Sequence, residues 1–438
     1  MRTILMGALV SGALLLAAAP ATAAANVERV VSDLGIEAYL LHEPSVPLIA
    51  MSFAFKGGTQ FETAEQAGLA QMTAALLDEG AGELDSLAFR TALEDNAIQL
   101  SFNADRDAFV GDLRTLTVNK ELAFDLTRLA LTEVRFDAEP IERVRAQVMA
   151  VINRRSTDPG TVARETFFAT AFPDHSYGVS DRGSLATVAA LGRDDLVGFV
   201  DRQLTRDKLR IGVAGDITAD ELATVLDDVF GDLPAEGPTS GAEPVTPVLG
   251  STVVVSQPVP QSVVMFGQGG VSRTDPDYYA AHVANYILGG GGFQSRLLKE
   301  IREKRGLAYS AYSYLLPTDL SPLWTGGVAT NNEDVAESVR LIRQEVARLA
   351  AGDVTEDDLE GARTFLTGSF PLRLTSNAQV AGMLRGMAVL GLDVDYLERR
   401  NTLIDAVTLE DVKRVTRELL DPDDLLVVVV GDPQGLDG

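Results

Sequence analysis

Short stretches of apolar residues alternate along this chain with longer stretches in which apolar residues recur every three to four positions. Residues 48–53 and 263–267 are short apolar runs, typical of buried strands, and a glycine-containing turn follows each of them. Residues 124–134 and 141–154 carry apolar side chains at helical spacing. This pattern predicts an α+β protein in which helices pack on mostly antiparallel sheets.

The order of these elements repeats in the second half of the chain. An amphipathic helix beginning at Asp195 leads into an apolar strand at residues 209–214 and then a Gly-Asp turn. The same helix, strand and turn recur from Asp411, an offset of 216 residues from position 195 to position 411. A repeat of this length is better explained by duplication than by chance, so two homologous lobes are predicted.

Residues 1–25 have the pattern of a secretory signal peptide. Arg2 supplies a positive start, residues 4–18 are uncharged and apolar, and Pro20 precedes small residues that offer cleavage sites. A membrane anchor is the alternative, but the proline and the many small residues favour a cleaved leader. We therefore expect a periplasmic protein that is not bound to a membrane after cleavage.

The remaining residues, roughly 410, exceed what a single hydrophobic core usually holds. Residues 235–250 are dense in proline, glycine and small polar residues, which is typical of a linker. The chain is therefore predicted to form an N-terminal lobe at residues 26–234 and a C-terminal lobe at residues 251–438, joined by this linker.

Charge and composition exclude several functions. The 63 acidic residues outnumber the 37 Lys and Arg, which gives a net charge of −26 and argues against a nucleic-acid-binding surface. The absence of cysteine excludes disulfides and thiolate metal sites. Zinc would have to use His42, His175 or His282, and none of these has another histidine within one helical turn. Ordinary polar or half-buried histidines are therefore the favoured interpretation.

Motifs for nucleotide binding and serine hydrolases are also missing. The chain contains no G-x-S-x-G and no G-x-x-x-x-G-K-[ST]. Four glycines at residues 289–292 lack the preceding strand and the following Lys-Ser/Thr of a phosphate loop. This run is predicted to be a flexible connection between two helices.

Residues 295–310 carry the strongest candidate chemistry. An apolar stripe predicts a helix that ends at Gly306, and alternation predicts a strand at residues 307–315. Helix, glycine and strand then bring Arg302 and Tyr309 to one point, where they offer a guanidinium fork and a phenolic hydroxyl to a peptide carbonyl or its oxyanion. The alternative is structural: Arg302 pairs with a local carboxylate and Tyr309 packs.

This segment closely resembles part of the C-terminal half of the pitrilysin/insulinase-type metallopeptidases, the inverzincins related to mitochondrial processing peptidase. Arg302 and Tyr309 match the family's substrate-binding Arg and Tyr in type and spacing. The resemblance extends to the turn at residues 57–62, the Gly-Leu-Ala lead-in at residues 68–70 and the loop at residues 174–178. It covers essentially the whole chain after the leader.

The chain departs from the family at the zinc site. The family's H-x-x-E-H motif supplies two zinc-binding imidazoles and the glutamate that activates water. Here Gln71, Ala74 and Ala75 occupy those three positions. The resemblance therefore implies that this chain binds no catalytic zinc and is inactive alone.

The family's third zinc ligand is a glutamate on a later helix. Its position falls near Ala150 or Val151, where no carboxylate stands. Asp78 and Glu79 follow the altered motif, but two carboxylates without imidazoles do not make a zinc site of this kind.

In bacterial relatives of processing peptidase, one subunit's zinc faces the other subunit's C-terminal half. The resemblance therefore implies a non-zinc subunit of a heterodimeric metallopeptidase, whose partner carries H-x-x-E-H and zinc. Arg302 and Tyr309 would then bind a peptide or an unfolded segment at the partner's site. Two alternatives remain: a non-catalytic scaffold or assembly subunit, and a peptide-binding homodimer.

Overall fold

The computed structural model describes residues 26–238 and 241–436. The predicted leader, residues 1–25, lies outside these described residues. No helix within the described ranges combines the length and apolar character needed to cross a bilayer.

Six strands form the first sheet in the order β1-β2-β6-β3-β5-β4. Neighbours run antiparallel except β2 and β6, which are parallel. The strands are β1 Val27–Val31, β2 Glu37–His42, β3 Leu48–Lys56, β4 Gln99–Ala104, β5 Ala108–Leu116 and β6 Leu209–Gly215.

Five strands form the second sheet in the order β7-β11-β8-β10-β9. Apart from the additional edge strand β1, this order repeats that of the first sheet, and again only one pair, β7 and β11, is parallel. The strands are β7 Thr252–Ser256, β8 Gln261–Gly269, β9 Ala308–Leu316, β10 Leu323–Asn331 and β11 Leu426–Gly431. The predicted two-lobe α+β fold with mostly antiparallel sheets is confirmed.

Helices pack on both sheets. Those of the first half are α1 Leu69–Ala74, α2 Ser86–Asp95, α3 Lys120–Thr132, α4 Ala138–Arg155, α5 Pro159–Ala171, α6 Leu185–Ala190, α7 Arg193–Gln203 and α8 Ala219–Phe230. Those of the second half are α9 Tyr278–Asn285, α10 Arg296–Leu298, α11 Val335–Ala350, α12 Glu356–Gly368, α13 Asn377–Val389, α14 Tyr396–Asp405 and α15 Leu409–Leu419.

One helix from each half of the chain packs on the sheet of the other half. Helix α5 packs on β8 and β11 of the second sheet, and α13 packs on β2, β3 and β6 of the first. The approach of α13 is so close that a Cβ added at Gly212 of β6 would lie 2.3 Å from the backbone oxygen of Ala381. The absence of a side chain at Gly212 thus permits the contact. The predicted lobe and linker boundaries remain predictions, but each sheet uses strands of one half only.

The glycine run differs from its predicted form. Helix α9 continues into a π-helical turn, Tyr286–Gly290, so the first glycines prolong the helix instead of forming a flexible connection. Gly289 is buried against β9, and a Cβ there would lie 2.3 Å from the backbone nitrogen of Ser313. Contact with the second sheet therefore orders this segment.

Candidate functional site

Helix α1 carries the positions where the family's zinc motif would stand. It begins after Gly68, whose φ of 94° is left-handed and suits glycine. Glu62 accepts hydrogen bonds from the backbone nitrogens of Gly68 (2.9 Å) and Ala70 (2.6 Å) and so caps the helix. Burial raises the pKa of the Glu62 carboxyl to about 7.

The side chains on α1 do not fit zinc. The amide nitrogen of Gln71 donates to the backbone oxygen of Ala104, at the end of edge strand β4. Ala74 is buried, Ala75 is exposed, and neither offers a ligand or a base. The residues present at these three positions therefore cannot reproduce the family's metal centre.

The neighbouring carboxylates have other contacts. Glu79 accepts two hydrogen bonds from the Arg143 guanidinium, at 3.1 and 2.6 Å. Burial, and then the nearby charge of Glu79, raise the pKa of Asp78 to about 6. Ala150 and Val151 lie on α4, and their apolar side chains cannot bind a metal ion. Throughout residues 26–238 and 241–436, no three His, Asp or Glu side chains are grouped so as to hold a metal ion.

The three histidines lie apart and make separate contacts. His42 Nδ1 lies 2.8 Å from the backbone oxygen of Ile217. His175 Nε2 lies 2.9 Å from the backbone oxygen of Glu243, and its other ring nitrogen accepts from the Tyr177 backbone. His282 stacks on a tyrosine ring of α9. These contacts explain the three side chains without a metal.

The structure brings Arg302 and Tyr309 together. Arg302 lies in a π-helical turn, Lys299–Glu303, that continues α10. Gly306, with φ of 66°, then reverses the chain into β9, on which Tyr309 stands. The guanidinium carbon of Arg302 lies 4.4 Å from the Tyr309 ring centroid, a cation–π contact.

Both side chains are available to a ligand. Tyr309 is 81% exposed and stands on β9, the edge strand of its sheet. Within the described part of the chain, neither the Arg302 guanidinium nor the Tyr309 hydroxyl has a hydrogen-bond or ion-pair partner. The local carboxylate, Glu300, instead pairs with Lys304 and Arg305. The alternative interpretation, in which Arg302 pairs with a local carboxylate, is therefore not supported by these contacts.

Phe293 is a third member of this group that sequence reasoning missed. Its ring centroid lies 4.9 Å from the Arg302 guanidinium carbon, on a side chain that is 60% exposed. The burial of Gly289 against β9 places the following turn, and hence Phe293, beside Arg302. In the sequence, the aromatic residue directly after a run of four glycines was the feature that could have indicated this position.

The zinc-motif positions and the Arg/Tyr pair lie in different lobes. Helix α1 borders β4 of the first sheet, whereas Arg302 and Tyr309 border β9 of the second. Because the two sheets share one strand order, β4 and β9 are equivalent edge strands. The zinc-motif positions and the Arg/Tyr pair thus lie beside the equivalent edge of their respective sheets.

Comparison with known proteins shows which family this chain is similar to. Residues 190–366 match the family described as "Peptidase M16 inactive domain". The "Non-peptidase homolog YmxG" of Helicobacter pylori is 24% identical over 388 residues, which cover 88% of this chain and 90% of that protein. These similarities support a member of the M16 peptidase family that lacks the catalytic zinc motif.

Other M16 relatives agree with this assignment. The "Uncharacterized zinc protease YmxG" of Bacillus subtilis is 24% identical, over 92% of this chain and 98% of its own length. The crystal structure of a "peptidase M16 inactive domain" from Pseudomonas fluorescens superposes with a TM-score of 0.88 at 26% identity. It covers 94% of this chain and 99% of that one, so the two-lobe M16 fold extends across nearly the entire chain.

Proposed function

We propose that this M16 chain is the non-zinc subunit of a periplasmic, two-subunit zinc metallopeptidase. One observation carries the proposal: Arg302, partly buried, and Tyr309, exposed, stand together without hydrogen-bond or ion-pair partners in the described chain, while the zinc motif of the same chain is lost. Such a pair has hydrogen-bond donors to offer but no reaction centre of its own. A homologous subunit with H-x-x-E-H would provide that centre.

The two side chains supply complementary donors. The Arg302 guanidinium presents several N–H groups in a fixed plane, which suits a peptide carbonyl. The Tyr309 hydroxyl donates one hydrogen bond, which becomes stronger when that carbonyl oxygen gains negative charge. Stacking on Tyr309 and Phe293 holds the guanidinium in place before substrate binds. The partner's zinc would supply the Lewis acid and the activated water.

The substrate class follows from this chemistry. Arg302 and Tyr309 would contact backbone atoms that every peptide possesses, so a peptide or an unfolded segment fits, with little dependence on sequence. The predicted leader at residues 1–25 supports a periplasmic location.

Reconstitution tests the proposal. This chain and an H-x-x-E-H homologue from the same genome are purified separately, and cleavage of a fluorogenic peptide is measured for each alone and for the mixture. The expected result is activity in the mixture that greatly exceeds the sum of the two. A partner whose motif glutamate is replaced by glutamine serves as the control and should abolish activity.

Three outcomes would contradict the proposal. This chain alone could cleave as fast as the mixture, or it could retain one zinc per molecule. If mixing changes nothing and size-exclusion chromatography shows no complex, the scaffold or homodimer alternatives replace the heterodimeric peptidase.

A further inference from the structure

A groove of about 780 Å³ lies between α12 and the π-helical turn Tyr286–Gly290 that ends α9. In the second lobe this turn contacts the edge strand β9 and α12. In the first lobe α1 contacts the edge strand β4 and α4 in the same way. The groove therefore lies where the second lobe corresponds to the zinc-motif positions of the first.

The groove adjoins the segment that carries Arg302. Lys299, the first residue of the π-helical turn on which Arg302 stands, is one of its lining residues. Gln294, which directly follows Phe293, is another. The groove and the Arg302 site thus share two chain segments, so a peptide can contact both.

Two aromatic rings form part of the lining. The ring centroid of Tyr286 lies 5.1 Å from that of Phe365 on α12, and Phe365 is 49% exposed. Tyr286 is only 6% exposed, yet its hydroxyl has no hydrogen-bond partner among the described residues. Because buried phenols usually find a partner, this hydroxyl indicates that a group bound in the groove supplies one.

Helix α12 keeps its groove side small. Gly361 and Gly368 line the groove, and a Cβ added at either position would meet no atom within 4 Å. Neither glycine has a positive φ, so no contact or turn inside the protein requires it, although glycine weakens a helix. This unfilled space beside α12 indicates the close approach of another molecule.

The charge at the groove is mainly negative. Three carboxylates line it, against Lys299 as the one cation among the described lining residues; they are Asp357, Asp358 and Glu360. Asp358 pairs with an arginine and caps α12. Asp357 has no ion-pair partner in the described chain, and the partner of Glu360 is 3.7 Å away. Free carboxylates beside two aromatic rings favour a cation.

We propose that this groove binds the side chain of an arginine or lysine in a peptide segment. The rings of Tyr286 and Phe365 contact its stem and its cationic head, and the carboxylates of Asp357 and Glu360 accept its hydrogen bonds. Since Arg302 and Tyr309 offer donors to backbone atoms, the groove adds a side-chain preference that they lack. That the ligand is a peptide rests on the proposed function.

The test uses the purified chain without a partner, so it does not depend on cleavage. Fluorescence anisotropy measures the binding of a short labelled peptide of Gly, Ser and Ala with one central arginine. A second peptide carries citrulline there, which has nearly the same shape and no charge. We expect the arginine peptide to bind on the order of tenfold more tightly, because citrulline loses the cation–π contact and the charge-assisted hydrogen bonds.

Variants then locate the binding. Asp357→Asn should weaken the arginine peptide by about threefold to tenfold and leave the citrulline peptide unchanged. Glu356→Gln is the matched control, since Glu356 is the neighbouring exposed acid in the same turn of α12 and does not line the groove.

Gly361→Ala separates binding from folding. The added methyl meets open space in the free protein, so thermal unfolding followed by circular dichroism should show no loss of stability. Binding of both peptides should weaken, because the methyl group narrows the groove. Gly382→Ala, on α13 and equally unhindered, is its control and should leave binding unchanged.

Two results would overturn the groove. One is equal binding of the two peptides, or binding of neither. The other is selective binding that Asp357→Asn and Gly361→Ala leave at the wild-type affinity, which would place the cation elsewhere. Reconstitution gives a separate answer: selective binding without activity on mixing would retain the groove and refute the heterodimeric peptidase, and cleavage without selective binding would do the reverse.

Discussion

The Arg302 guanidinium carbon lies 4.4 Å from the centroid of the Tyr309 ring, and both side chains stand beside the edge strand β9. Their seven-residue separation along the chain is closed by a π-helical turn and the left-handed Gly306. This arrangement leaves the Arg302 guanidinium and the Tyr309 hydroxyl without a hydrogen-bond or ion-pair partner in the described residues.

Tyr309→Phe removes the hydroxyl but keeps the ring on which Arg302 stacks. In the reconstituted heterodimer we expect kcat/KM to fall on the order of 100-fold, because one donor to the developing oxyanion is lost. Complex formation, measured by size-exclusion chromatography, should be unchanged.

Tyr312→Phe is the matched control for this change. Tyr312 is a half-exposed tyrosine on the same strand, three positions along, where its ring stacks on Tyr314 and not on Arg302. It should retain wild-type turnover. Equal turnover in the Tyr309 and Tyr312 variants would reduce Tyr309 to a structural residue.

The purified chain is expected to hold far less than one zinc per molecule after dialysis. Gln71, Ala74 and Ala75 supply neither imidazole nor carboxylate, and Glu79 is engaged by Arg143. Inductively coupled plasma mass spectrometry measures the metal, with an H-x-x-E-H homologue treated identically as the positive control. A stoichiometric zinc in this chain would show that a different set of ligands exists.

Gly212→Ala should destabilise the protein by about 1–3 kcal/mol, because the new methyl group would overlap the backbone of α13. Urea denaturation followed by circular dichroism measures the change in the free energy of unfolding. Gly382→Ala is the control: it lies on α13 itself, with open space around the added methyl. That substitution should be neutral or stabilising, by up to about 1 kcal/mol, since alanine favours helix.

Glu62 makes stability depend on pH. Its folded-state pKa of about 7 exceeds the ordinary value of 4.5, so between these values the folded state binds the proton and the unfolded state does not. The contribution of Glu62 to the free energy of unfolding must therefore decrease as pH rises through this window and level off above it. Urea denaturation from pH 4.5 to 7.5 measures this.

Glu62→Gln isolates that contribution. The free energy of unfolding of wild type minus that of the variant should decrease as pH rises from about 4.5 to about 7. The burial of His282 acts in the opposite direction, because its lowered pKa makes stability rise with pH, but this term is common to both proteins and cancels. A pH-independent difference would show that Glu62 titrates normally.

Features that depend on local pattern could be predicted from the sequence. Strand alternation and helical spacing predicted the α+β class, and the repeated helix, strand and turn predicted two homologous lobes. The strand order that the two sheets share was seen only in the structure. The sequence also determined the loss of the zinc motif and the proximity of Arg302 and Tyr309, because a single helix end and a glycine turn separate them.

Which distant segments meet could not be predicted from the sequence. The packing of α5 and α13 on the sheet of the other half and the position of Phe293 beside Arg302 depend on contacts between residues far apart in sequence. Such contacts follow from how whole helices and sheets pack, and a local pattern of apolar and polar residues does not specify which surfaces will face each other.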